Sequence, residues 1–178
     1  MDPVEIIRGD GPVILGQPHC GTFLPDEIWA SLNGYGQKLV DTDWHVDRLY
    51  NGLLGNATIV RANFHRYVID ANRDPSGQSL YSNHNTTGLV PQISFDNIPI
   101  WTDPLNDKNL QQRLSYHAAY HEALQAELHR LKKHHASIVL YDCHSIRSEI
   151  PFLFEHRLPD FNIGNNSGAS CEVALIRA

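Results

Sequence analysis

Ser137-Ile138-Val139-Leu140-Tyr141-Asp142-Cys143-His144 is an apolar, β-branched run that ends abruptly in polar residues. Its first part reads as a buried strand. It follows a helical pattern over residues 107–134. There Leu110, Leu114, His117, His121, Leu124, Leu128 and Leu131 fall on one stripe at three- and four-residue spacing. Upstream, Val13-Ile14-Leu15-Gly16 is a second apolar run that empties into Gln17-Pro18-His19. Residues 57–62 and 67–71 read as further strands. Residues 43–54 read as a helix that Asp41 or Thr42 caps and Gly55 ends. Strands alternating with helices predict an α/β sandwich with helices on a largely central sheet. Ligands of such sheets sit beyond the carboxyl ends of the strands. His19 and His144 both follow a strand.

Composition narrows the partners. The 178 residues suffice for one domain with a core, expected to span 1–178. A formal net charge of -6 argues against nucleic acid as a partner, because such proteins carry a basic face. A small anionic substrate needs only local arginines. The 11 histidines against 14 Lys+Arg point weakly to metal chemistry. No apolar run approaches the roughly 20 residues that span a bilayer, and residues 1–8 do not resemble a signal peptide. Cys20, Cys143 and Cys171 are odd in number and widely spaced, unlike a disulfide framework. The expected location is the cytoplasm.

Two histidines at the ends of two strands of one sheet converge. A catalytic zinc takes three protein ligands and keeps one position for water. The third ligand has three candidates, Asp41, Asp43 and Asp47; the last two share a helical face. Asp142, two residues before His144, is expected to orient it or to line the site. His117 and His121 have the spacing of a metalloprotease pair, but Ala118 stands where the general-base glutamate should follow. Packing or hydrogen bonding at a core edge is the preferred reading of that pair. Asn72-Arg73 opens an irregular segment, 72–105. Arg73 can grip a carboxylate through two parallel bonds, and Arg147 is a second anchor of the same kind. No Gly-x-Ser-x-Gly elbow, phosphate loop or dinucleotide fingerprint is present. Cys20 and Cys143 flank the two histidines. A cysteine nucleophile is conceivable, but small side chains beside metal ligands are the plainer account.

The ordered series Pro18-His19-Cys20-Gly21-Thr22, Asp41-Thr42-Asp43-Trp44-His45-Val46-Asp47-Arg48, Arg66 to Pro75, Thr86-Thr87-Gly88-Leu89, Tyr120-His121-Glu122-Ala123-Leu124, Leu140 to Ser148 and Leu158 to Gly164 resembles the motifs of N-formylglutamate amidohydrolases. The resemblance implies a three-layer α/β sandwich with a central mixed sheet, similar to zinc-dependent exopeptidases and aspartoacylase-like enzymes. It implies hydrolysis of N-formyl-L-glutamate to L-glutamate and formate in histidine degradation, at a divalent metal, zinc first. On this basis His19, Asp43 and His144 are the expected metal ligands, and Asn72, Arg73 and Arg147 the expected contacts to a small acidic N-acyl amino acid. Thr22 stands where related exopeptidases carry a ligand glutamate, so the carboxylate is sought at Asp43. The family is expected to continue past residue 178, as though this domain were C-terminally incomplete, and to supply there a general-base glutamate. No catalytic base is therefore assigned within the chain. Two other readings stand beside this one: an amidohydrolase for another N-acyl acidic amino acid, and a catalytically silent remnant.

Overall fold

The structure is a computed structural model and describes residues 1–77, 87–103 and 110–176. Among these residues the strands are β1 (Val4–Ile7), β2 (Val13–Gln17), β3 (Thr58–Ala62) and β4 (Val139–Asp142). They form one mixed sheet in the order β1-β3-β2-β4. β2 pairs parallel with both β3 and β4, and β1 closes one edge antiparallel to β3. The helices are α1 (Asp26–Ser31), α2 (Val46–Leu49), α3 (Leu110–Lys132) and α4 (Val173–Ile176). No helix among the described residues is long and apolar enough to cross a membrane.

Alternation along β2 and β3 divides the core between the two faces of the sheet. Ile14, Val60 and Ala62 join the larger cluster with Tyr120, Leu124 and Leu131 of α3. Leu15 and Ile59 point the other way, into a smaller cluster with Val46 of α2 and Cys143. The buried row of α3 runs Arg113, His117, Tyr120, Leu124, Glu127, Leu131. It is turned slightly from the leucine stripe that the sequence suggests. Its charged members have partners: Glu127 is held by Arg8 at 2.8 Å and Arg130 at 2.6 Å.

β2, β3, β4 and α3 lie where the spacing predicts them, but β4, expected to be buried, is mostly exposed because it forms the sheet edge; residues 104–109, which include the expected start of α3, lie outside the described residues. Two expectations are corrected. The helix over 43–54 shrinks to the single turn α2, because His45 sits in the left-handed region at φ 66° and serves as the N-cap. Neither Asp41 nor Thr42 caps it, and Asp43 and Asp47 share no helical face. The run 67–71 is fully buried but is no strand. Its carbonyls are taken by side chains of α3 rather than by a neighbouring strand. Arg113 Nη1 donates to Tyr67 O (2.9 Å) and Val68 O (2.7 Å), and His121 Nε2 lies 2.9 Å from Ala71 O. A buried carbonyl needs a donor, not necessarily a backbone donor.

Candidate metal centre

The parallel strands β2 and β4 deliver His19 and His144 to the same end of the sheet. Cys143 N–H donates to Gly16 O at 2.7 Å, which carries the pairing one residue past β4. A Cβ at Gly16 would meet the Asp142 carboxylate, so a side chain there would require that carboxylate to swing away. Asp43 N–H donates to His19 O at 3.0 Å and brings the carboxylate alongside.

Among the described residues, His19, Asp43 and His144 form the group whose ligand atoms converge, all within 4.8 Å of one another. His19 Nδ1 is 3.2 Å from His144 Nδ1 and 3.7 Å from Asp43 Oδ2, and His144 Nδ1 is 3.1 Å from the same oxygen. Bonds of 2.0–2.1 Å to a tetrahedral zinc would set ligand atoms ~3.3 Å apart. His19 Nε2 lies 2.7 Å from Asp70 Oδ1, and a carboxylate can only accept, so Nε2 carries the hydrogen. In the neutral ring, Nδ1 is then a bare lone pair facing His144 Nδ1 and Asp43 Oδ2. Asn72 Nδ2–H faces His144 Nε2, which leaves the hydrogen of a neutral His144 on Nδ1, between Asp43 and His19; with that proton displaced, the donor set and the spacing would suit zinc.

Asp41 and Asp47 are elsewhere. Asp41 accepts from the Tyr67 hydroxyl at 2.9 Å and from Phe95 N–H at 3.2 Å. Asp47 lies on α2, outside the converging group. Burial pushes the Asp43 carboxyl up, but the hydrogen bond from His144, the neighbouring His19 imidazole and the charge of Arg66 outweigh it. The group is held well below the ordinary carboxylate range. Asp142 does not orient His144; its carboxylate lies over Gly16, and the partners of His144 are Asp43 and Asn72. Asn72 Nδ2 stands 3.3 Å from His144 Nε2. Arg73 binds Thr87 O, Thr87 Oγ1 and Asn72 O, so it ties the 72–73 backbone to the 87 loop. Arg147 pairs with Asp96 at 2.7 Å. The cysteine alternative loses ground: burial pushes the Cys20 thiol up to about 11 and Cys143 up to about 12, which disfavours the thiolate.

The sequence reading missed Asp70. It is fully buried, and its Oδ1 accepts both His19 Nε2–H and Asn72 N–H (2.9 Å). Burial alone would raise its pKa; the contact with His19 and the charge of Arg66 reverse this and hold it far below the usual range. The signal was available: a carboxylate ending the apolar run Val68-Ile69 is buried only with a partner.

His65, also fully buried, braces this region. Its Nδ1 accepts Tyr67 N–H at 3.1 Å, so Nε2 carries the hydrogen and donates to Thr42 Oγ1 at 3.0 Å. Burial and the Arg66 charge push its pKa down to about 3. Between that value and the ordinary histidine value of 6.5, the unfolded chain binds a proton that the native chain refuses, so stability falls as pH falls through this window. The expected loss is up to about 1.4 kcal/mol per pH unit. Urea unfolding at pH 7 and pH 5 of the wild type and of His65→Gln checks it: the wild type should lose more, and equal losses would contradict the assignment.

Comparison with known proteins identifies the family. The family model for N-formylglutamate amidohydrolase matches residues 11–178. The N-formylglutamate deformylase of Pseudomonas aeruginosa is 42% identical over 182 residues, covering 98% of this chain and 67% of the relative. That of Pseudomonas putida is 38% identical over 181 residues, with the same coverage. The chain thus spans about two thirds of the length of these relatives. The crystal structure of N-formylglutamate amidohydrolase from Ralstonia eutropha JMP134 superposes with a TM-score of 0.79 at 23% identity, covering 99% of this chain and 71% of that one. A gene product of Agrobacterium tumefaciens superposes with a TM-score of 0.67 at 19% identity, covering 84% and 58%. These two likenesses concern the fold. Sequence, fold and an ordered set of matching motifs lead to one conclusion: the chain belongs to the N-formylglutamate amidohydrolase family.

Proposed function

We propose that the chain hydrolyses the formyl amide of N-formyl-L-glutamate, giving L-glutamate and formate, with a divalent metal, zinc first, held by His19 Nδ1, His144 Nδ1 and Asp43. The convergence of three potential ligand atoms at 3.1–3.7 Å carries this reading, and membership of the family supplies the reaction. His19, His144 and Asp43 would hold the zinc, which would supply Lewis-acid activation of water and of the formyl carbonyl. Asp70 keeps His19 in the form that presents Nδ1. Arg66, buried beside Asp41, Asp43 and Asp70, steadies the carboxylates by its charge.

Arg73 and Arg147 are assigned to the carboxylates of the substrate. The Arg147–Asp96 pair is partly exposed, and such pairs contribute about 0–1 kcal/mol. A substrate carboxylate can therefore replace Asp96 at small cost. The three cysteines are free, which suits a reducing cytoplasm; a role in histidine degradation rests on the family's reaction alone.

The test is formate release from N-formyl-L-glutamate beside acetate release from N-acetyl-L-aspartate, by the purified chain with one equivalent of zinc. Formate release should dominate. Faster acetate release would move the assignment to another N-acyl amino acid, and zinc uptake without turnover of either would favour a catalytically silent chain.

A further inference from the structure

Three side chains of α3, at positions i, i+4 and i+8, reach across to the segment that carries Asp70, Asn72 and Arg73. Arg113 donates to the carbonyls of Tyr67 and Val68 at 2.9 and 2.7 Å. His117 Nε2 lies 2.9 Å from Arg73 O, and His121 Nε2 lies 2.9 Å from Ala71 O. Carbonyl oxygens only accept, so both imidazoles donate through Nε2–H. The two rings stack at 4.3 Å, which braces each against the other. Their carbonyls bracket Asn72, whose N–H is fixed by Asp70 Oδ1 and whose amide lies beside His144.

We propose that His117 and His121 are positioning residues for the metal centre: by holding the carbonyls of Ala71 and Arg73 they set the backbone from which Asp70 and Asn72 meet His19 and His144. Their spacing resembles a zinc-binding pair, but their Nε2 atoms are committed to backbone oxygens. They act on the metal through the 70–73 loop and not as ligands. The inference rests on the reading of His19, Asp43 and His144 as the metal centre.

The test uses the full chain with three versions of the pair: wild type, His117→Ala/His121→Ala, and His117→Gln/His121→Gln. Glutamine keeps an N–H donor near the place of Nε2. Zinc affinity is measured by titration, and amide exchange of Asp70 and Asn72 is followed by NMR in chelator-treated protein. The alanine pair should lose zinc affinity roughly 10- to 100-fold, the range for groups that orient metal ligands, with faster exchange at both amides. The glutamine pair should restore most of each. Wild-type affinity and exchange in the alanine pair would overturn the proposal. Equal losses in the alanine and glutamine pairs would also overturn it, since they would mean ring packing rather than donation. If the alanine pair fails to fold, the glutamine pair decides, because it must match wild type in both readouts. Should the wild type itself take up no zinc, the metal reading falls, and the amide exchange alone judges the clamp.

Discussion

His144→Ala leaves the chain folded and without stoichiometric zinc. The His144 side chain is one-third exposed, so its truncation opens no sealed cavity. It does remove the atom that stands 3.2 Å from His19 Nδ1 and 3.1 Å from Asp43 Oδ2. Asp43→Asn tests the same centre from its buried side. Asparagine keeps the shape but supplies no negative charge, and Asp43 is the one ligand that balances the metal's charge. Both substitutions should weaken zinc binding by more than the roughly 10- to 100-fold cost of losing an orienting group. Equilibrium dialysis against zinc checks this. Unchanged stoichiometry in His144→Ala would remove His144 from the ligand set, and unchanged affinity in Asp43→Asn would return the choice of carboxylate to Asp41 or Asp47.

Asp70→Ala should be the most destabilising single change at the site. It strips His19 Nε2–H and Asn72 N–H of their shared acceptor, in a place closed to water. It also leaves Arg66, itself buried, with one compensating charge fewer. Leaving a buried donor without its acceptor typically costs about 1–3 kcal/mol, and two are stranded here, against a total stability of roughly 5–15 kcal/mol for a whole domain. Asp70→Asn keeps an oxygen acceptor and should cost less. Urea unfolding of the three proteins gives the comparison. A loss below about 1 kcal/mol in Asp70→Ala would show that water reaches the site and that Asp70 is no buried hub.

Much of this was legible in the residues. β2 and β3 are short apolar runs largely buried within the sheet, and β4 has the same apolar composition although it lies mostly exposed at the sheet edge. His19 and His144 could be placed because a strand end fixes where the next side chains go. The choice of Asp43 came from the family resemblance, and the geometry brings that carboxylate, of the three candidates, to the histidines. What failed did so for physical reasons. The run 67–71 has strand composition, but whether its carbonyls face a strand or the arginine and histidines of α3 is a tertiary fact. Residues 43–54 have helical composition, yet the N–H of Asp43 is drawn to His19 O, and the left-handed turn at His45 follows. β1 was missed because Ile6 and Ile7 are largely exposed and only Val4 is buried, so no apolar run announces it. The role of His117 and His121 was half visible: hydrogen bonding at a core edge could be inferred, but not which carbonyls they hold.

The central claim is that the His19–Asp43–His144 cluster carries a metal on which hydrolysis depends. The most direct measurement is formate release from N-formyl-L-glutamate by the purified chain, before chelation, after chelation, and after one equivalent of zinc is returned. Activity that vanishes on chelation and returns with one zinc per chain is the predicted result. Formate release that persists undiminished in the fully stripped chain would contradict it.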